Sequence, residues 1–142
     1  MIIPYQDSYF EDVCLLCEEY SKEYSKFNNQ FNLDFRRARE LAKDNCFLMF
    51  KNNILVGILG GVIINSLLSD DLIFQEVIFY VKPEYRKYSK ELLKYMELHL
   101  KDIDVNLMAM NAPSSDNIDI IGRFYNIQGF KELERIYLKR LQ

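Results

Sequence analysis

The stretch Leu72–Leu93, LIFQEVIFYVKPEYRKYSKELL, decides how the chain is read. Its first ten residues favour extended structure, and Pro83, which cannot donate a ladder hydrogen bond, closes them as a strand. From about Ser89 the pattern turns helical, with Leu92, Leu93, Met96 and Leu100 on one stripe. A strand that passes through a turn into a helix start is the local geometry of an anion site, because the first helical amides are unpaired and carry positive dipole. Taken at a strict period of two, Leu72, Phe74, Glu76, Ile78 and Tyr80 share one face, and Ile73, Gln75, Val77, Phe79 and Val81 share the other. Both faces are apolar, as in a central strand covered on both sides. Glu76 therefore falls where a carboxylate is costly to ionise. Two readings are open: a general base with raised pKa, or a Glu that faces a wet cleft or pairs with an Arg such as Arg36 or Arg37.

The bulk numbers set the frame. A chain of 142 residues with 49% hydrophobic residues suits one globular domain. A net charge of −3 argues against broad nucleic-acid binding, which needs a basic field. The longest apolar run, Ile54–Ile64, is too short and too glycine-rich for a membrane span. The opening MIIPYQDSYF lacks a signal-peptide pattern, and three Cys do not suit a disulfide framework, so a cytoplasmic location is expected.

Outward from the central stretch, the remaining elements follow in order. Met1–Tyr5 reads as a short strand ending at Pro4. A helix from Ser8 or Tyr9 places Val13, Leu16, Cys17, Tyr20 and Tyr24 on one side. Cys14 and Cys17 form a C-x-x-C, but no second Cys or His pair completes a metal set, so packing is the better reading. After the polar break Lys26–Asn32, Asn32 or Asp34 caps a second helix running to about Lys43, either a solvated face or a lip over a cleft. Cys46–Lys51 and Ile54–Ile64 are strands joined through Asn52-Asn53, a two-residue hairpin turn. Gly57, Gly60 and Gly61 in the second of them predict a bulge or a close backbone approach. With the central strand these make an antiparallel meander. The helix after Pro83 ends near Asp102. A strand over Val105–Met110 follows, parallel to the central one through a right-handed crossover. Then come a loop over Ala112–Asn117, a helix over Ile118–Ile127 ended by Gly129, and a final strand over Leu133–Leu141. His99, the sole His, is expected on the surface of its helix, and no His-based triad or metal site can be assembled. The fold class is α/β, a mixed sheet in a single domain over residues 1–142.

This order of elements resembles the GCN5-related N-acetyltransferase (GNAT) superfamily over nearly the whole chain. Three stretches carry the likeness: FLMFKNNILVGILGGVI with Val56-Gly57; VIFYVKPEYR with Val81, Pro83 and Arg86; and RFYNIQGF with Phe124-Tyr125 and Gly129-Phe130. The resemblance implies acetyl transfer from acetyl-CoA to an amine by direct attack in a ternary complex. It implies a fourth strand splayed from the fifth around the cofactor's pantetheine arm, with main-chain groups of Tyr80 and Val81 bonding to that arm. It places the pyrophosphate on the turn Arg86, Lys87, Tyr88, Ser89 and Lys90, the general base at Glu76, and at Tyr125 a phenol that protonates the leaving thiolate. The family's loop reads Q/R-x-x-G-x-G/A, whereas residues 86–91 here read RKYSKE, without glycine and about two residues short. The Asn common before the family's last helix is matched only approximately, by Asn117 one residue early. The alternative is a non-catalytic member of the fold that binds a peptide or protein. The acceptor is a small-molecule or peptide amine that the sequence does not specify. No nucleic-acid or membrane partner is expected, and a homodimer is left open.

Overall fold

The computed structural model describes all residues, Met1–Gln142. Five strands form one sheet in the order β1-β2-β3-β4-β5. They are β1 (Ile2–Pro4), β2 (Cys46–Lys51), β3 (Ile54–Asn65), β4 (Leu72–Val81) and β5 (Leu107–Ala109). The helices are α1 (Phe10–Glu23), α2 (Ser25–Asn28), α3 (Phe35–Ala42), α4 (Ser89–Asp102) and α5 (Ile118–Ile127). β1 through β4 pair antiparallel, and β5 returns parallel to β4 after α4. No helix is long and apolar enough to cross a membrane.

Local chemistry explains most element boundaries. Asn52 and Asn53 take φ of 51° and 64°, the left-handed pair that a tight hairpin needs. Asp34 caps α3 by accepting from the amides of Arg36 and Arg37, both at 3.1 Å. Asp34→Ala is expected to lower stability by about 1 kcal/mol, read as a small fall in the thermal midpoint; no fall would show that α3 does not depend on its cap. α5 stops at Gly129, whose φ of 93° only glycine adopts without strain. Asp104, with φ of 60°, turns the chain from α4 toward β5.

The sheet is covered on both sides. One core packs Val13, Leu16, Cys17, Tyr20 and Tyr24 of the first helices against Leu48, Ile58 and Tyr80. The other packs Leu92, Leu93, Met96 and Leu100 of α4 against Met49, Leu59, Phe74 and Val81. Cys17 is part of the first core, and burial pushes its thiol up to about 12. His99 lies half-buried, its ring 5.1 Å from that of Phe47 and its Nε2 3.1 Å from Asn45 Oδ1, so it packs at the end of its helix.

Three expectations are corrected. The strand expected over Leu133–Leu141 does not form: the chain beyond Phe130 lies beside no strand, and an alternating pattern without a partner makes no ladder. β5 is three residues long, because Asn106 ties its start to Leu72 through a 2.9 Å bond and β4 and β5 part after Ala109. The third correction concerns β4. Gly60 pairs with Ile78 but Gly61 with Glu76, so Val77 is an extra residue in β4. Strict alternation fails there. Phe74 packs in the α4-side core, whereas Ile78 and Tyr80 pack on the α1 side. The bulge needs Gly61, where a Cβ would overlap the Gln75 carbonyl and come within 2.6 Å of the Phe74 ring.

Candidate active site

The parallel pairing of β4 with β5 covers only Ile73–Gln75 against Leu107–Ala109. Beyond it β4 runs on for six residues, Glu76 to Val81, with no strand on that side. The result is a wedge-shaped opening in the sheet. Its polar groups can be assigned from the ladder. Lys82 N–H donates to the Val56 carbonyl at 2.8 Å. The next pair inward, Gly57 with Val81, is therefore a non-bonded pair of the antiparallel ladder, and the Val81 amide and carbonyl point away from β3 into the opening.

Glu76 stands at the apex. It is 7% exposed, and its only side-chain partner is Asn111, whose Nδ2 donates to Glu76 Oε2 at 3.2 Å and to the Glu76 carbonyl at 3.1 Å. Burial pushes the carboxyl up to about 7, against a smaller lowering by Asn111. Neither Arg36 nor Arg37 reaches it, which removes the ion-pair reading. Tyr125, buried on α5, donates from its hydroxyl to the Asn111 carbonyl at 3.1 Å. Burial, and then the nearby Glu76, raise this phenol far above its ordinary value, so it stays protonated and available as a donor. Asn111 thus bridges acid and phenol where the two strands part. Tyr20 of α1 faces the same group, its phenol raised first by burial and then by Glu76. Beside it Asn28 is buried with its amide nitrogen unpaired.

The turn after β4 differs from the expected arrangement. Pro83–Tyr88 is a 3-10 helix that runs directly into α4, and the Ser89 amide is bonded to the Arg86 carbonyl. The amides from Arg86 to Lys90 are therefore not a free anion cradle. The Arg86 side chain is engaged as well: Nε donates to the Val81 carbonyl at 3.1 Å, and the guanidinium pairs with Glu23 of α1. Tyr80 closes the same group through its hydroxyl, 3.2 Å from Glu23 Oε1. Lys87 and the half-buried Lys51, which also pairs with Glu91, lie over the Tyr88 ring. Lys90 sits in the first turn of α4. Asn117 lies at the start of α5, where its amide bonds to Ser115 at 3.3 Å, away from Glu76. Of the residues expected from sequence, the structure joins Glu76 and Tyr125 through Asn111, while the Val81 main chain lies five residues further along β4. It ties Tyr80 and Arg86 to α1 and winds the remaining loop residues into helix.

Sequence reasoning missed Asn111, Glu23 and Tyr20. Asn111 had a signal: it is the first polar residue after the apolar run of β5, at the carboxyl end of a parallel strand, where ligands gather. Glu23 and Tyr20 had none, because only the packing of α1 on β4 brings them here.

No protein-family model matches the sequence, and no curated protein matches it. Solved structures do. A GNAT family acetyltransferase from Staphylococcus aureus aligns over 99% of this chain and 98% of its own, with 19% identity and a TM-score of 0.66. A ribosomal-protein-alanine N-acetyltransferase from Brucella melitensis biovar Abortus aligns over 100% and 99%, with 16% identity and a TM-score of 0.74. The aminoglycoside N-acetyltransferase AAC(6')-Iy, in complex with CoA, aligns over 100% and 99%, with 15% identity and a TM-score of 0.68. The fold is that of the GNAT acetyltransferases. Within the GNAT fold of this chain, the apex of the opening is held by Glu76 of β4, Asn111 of the loop after β5 and Tyr125 of α5. Asn111→Leu tests that hold. Removing the amide that lowers the Glu76 pKa is expected to move it further above about 7, with stability reduced by about 1–3 kcal/mol at pH 8. An unchanged titration midpoint would show that Asn111 does not govern the carboxylate.

Proposed function

We propose that the chain is an N-acetyltransferase that moves an acetyl group from acetyl-CoA to an amine by direct attack in a ternary complex. The observation that carries this reading is a buried carboxylate with a pKa near 7, set at the apex of a splayed sheet beside a protonated phenol. The opening fits an extended chain carrying amide groups, since the Val81 amide is presented along it, although Arg86 occupies the Val81 carbonyl. Acetyl-CoA supplies the activated acyl group. An attacking amine must first lose a proton, and Glu76 is the acceptor within reach of the opening. The Val81 amide is the donor placed to stabilise negative charge there. Tyr125, held neutral, gives a proton to a departing thiolate. The phosphate end of the cosubstrate fits less well. Lys87 and Lys90 remain for it, but Lys82 is paired with Glu19 and Arg86 with Glu23, and the depression beside Tyr80 is lined by Glu19, Glu23 and Glu84 together with Lys22 and Lys82. The acceptor class rests on likeness alone: the structurally similar proteins include aminoglycoside and ribosomal-protein acetyltransferases.

That occupied Arg86 and the helical turn at 83–88 favour a second reading, a binding member of the same fold with weak or absent CoA affinity. Thermal denaturation separates the two. A ligand that binds only the folded state at a hundredfold its dissociation constant adds about 2.7 kcal/mol. We expect millimolar acetyl-CoA to raise the melting temperature by several degrees. An unmoved transition removes the acetyltransferase reading and leaves the binding one.

A further inference from the structure

Arg86 locks the end of α1 to the end of β4. Its Nε donates to the Val81 carbonyl at 3.1 Å, and its guanidinium pairs with Glu23, the last residue of α1. The other Glu23 oxygen accepts from the Tyr80 hydroxyl at 3.2 Å. Tyr80 is buried, and the guanidinium carbon lies 5.6 Å from the centre of its ring. The lock thus has a buried aromatic wall behind it and an open front, since the Arg86 and Glu23 side chains keep 36% and 23% of their exposure. One turn earlier on the same face of α1, Glu19 pairs with Lys82 at 3.7 Å. That contact is looser and lies at the surface, where an ion pair carries little weight. The Glu23 pair differs in what it consumes. It takes the guanidinium beside the opening, and through Arg86 it takes the carbonyl that Val81 points into the opening.

We propose that Glu23 is a specificity-determining residue: it stands in for a ligand anion on Arg86, so that the opening admits only a ligand able to replace both partners of the guanidinium at once. Moving Arg86 leaves two groups in want of partners. The guanidinium needs an anion, and a diphosphate supplies one in the forked geometry that arginine prefers. The Val81 carbonyl needs an N–H, and an extended amide chain supplies that. A ligand that joins an amide chain to a diphosphate meets both needs. Pyrophosphate alone, or an amide chain alone, meets one and leaves the other group stripped of its bond. Glu23, once released, keeps the Tyr80 hydroxyl and turns to water. The turn at Pro83–Tyr88 explains why one side chain carries the choice: its amides are wound into a 3-10 helix and offer no cradle, so Arg86 is the discriminating group. The proposal rests on the acetyltransferase reading for what enters the opening, whereas the lock rests on contacts within the chain.

Calorimetric titration of the full chain with inorganic pyrophosphate, and separately with CoA, tests it. A slot that is free in about one molecule in ten weakens any ligand by about tenfold. Glu23→Gln keeps the size of the side chain and an acceptor for Tyr80 but removes the charge. It is expected to tighten both ligands by about tenfold, and adding Arg86→Gln should abolish the gain. Glu19→Gln removes an equal charge one turn away and is expected to leave both affinities nearly unchanged. If Glu23→Gln does not fold, Glu23→Asp, shorter by one methylene, should tighten both ligands in the same Arg86-dependent way. Equal gains from Glu19→Gln and Glu23→Gln would reduce the effect to bulk charge and overturn the proposal. Affinities that Glu23→Gln does not move, or a gain that survives the loss of Arg86, would overturn it as well. Pyrophosphate binding gained without any CoA binding keeps the lock and removes the acetyltransferase reading. Tight CoA binding by the unsubstituted chain, unimproved by Glu23→Gln, does the reverse.

Discussion

Glu76→Gln is expected to slow acetyl transfer by about 10²–10⁴-fold at neutral pH, the usual contribution of a positioned base, while acetyl-CoA affinity changes little. The carboxyl sits near 7 because burial penalises its charged form. In the unsubstituted protein kcat/KM should therefore rise as pH passes through about 7 and level off above it. The residual rate of the Gln variant should lack that step. Equal losses in rate and in cofactor affinity would mean that Glu76 shapes the site without handling a proton. The same group has a signature in stability that needs no substrate. A carboxyl raised from 4.5 to about 7 on folding favours the folded state fully below pH 4.5 and loses that advantage as pH climbs through 7. At pH 8 it costs the fold about 3 kcal/mol relative to acid conditions. Replacing it by Gln removes the titration. The variant should be the more stable protein at pH 8 by up to about 3 kcal/mol, and the difference should vanish near pH 4. Urea melts at the two pH values decide, and a difference that does not vary with pH excludes a buried, titrating Glu76.

Gly61→Ala should be among the most damaging single-methyl changes in this chain. The added carbon would overlap the Gln75 carbonyl and the Phe74 ring, and Phe74 is fully buried. Neither neighbour is a flexible chain end, so backbone has to move. We expect a loss of about 2–3 kcal/mol, or roughly 6–10 °C in thermal midpoint for a domain of this size. Gly122→Ala is the control: nothing lies within 4 Å of the added carbon, and an alanine inside α5 should hold or raise stability. The functional consequence runs through the bulge. Gly61 faces Glu76 across the ladder, and the extra residue at Val77 allows Phe74 to fill one core while Ile78 and Tyr80 fill the other. Pressing that bulge straight should displace Glu76 from Asn111, so the alanine variant should also lose the titration near pH 7. Full stability in Gly61→Ala would show that the register shift is not needed.

The sequence by itself determined the order and type of nearly every element. Those signals are short-range: the 3.6-residue stripe of α1, the Asn52-Asn53 turn, the Asp34 cap, Pro83 ending β4 and Gly129 ending α5. Each acts within a few residues and needs no partner elsewhere. It also singled out Glu76, because a carboxylate inside an apolar strand is anomalous wherever the chain goes. Tertiary structure decided what no local signal contains. Val77 as an extra residue depends on how β3 lies against β4. The join of Glu76 to Tyr125 depends on Asn111, thirty-five residues from one and fourteen from the other. The fate of Arg86 depends on Glu23, sixty-three residues away on α1. Residues 133–141 read as a strand from their alternation, and they are not one here because a strand exists only through the neighbour it bonds to, and this segment bonds to none.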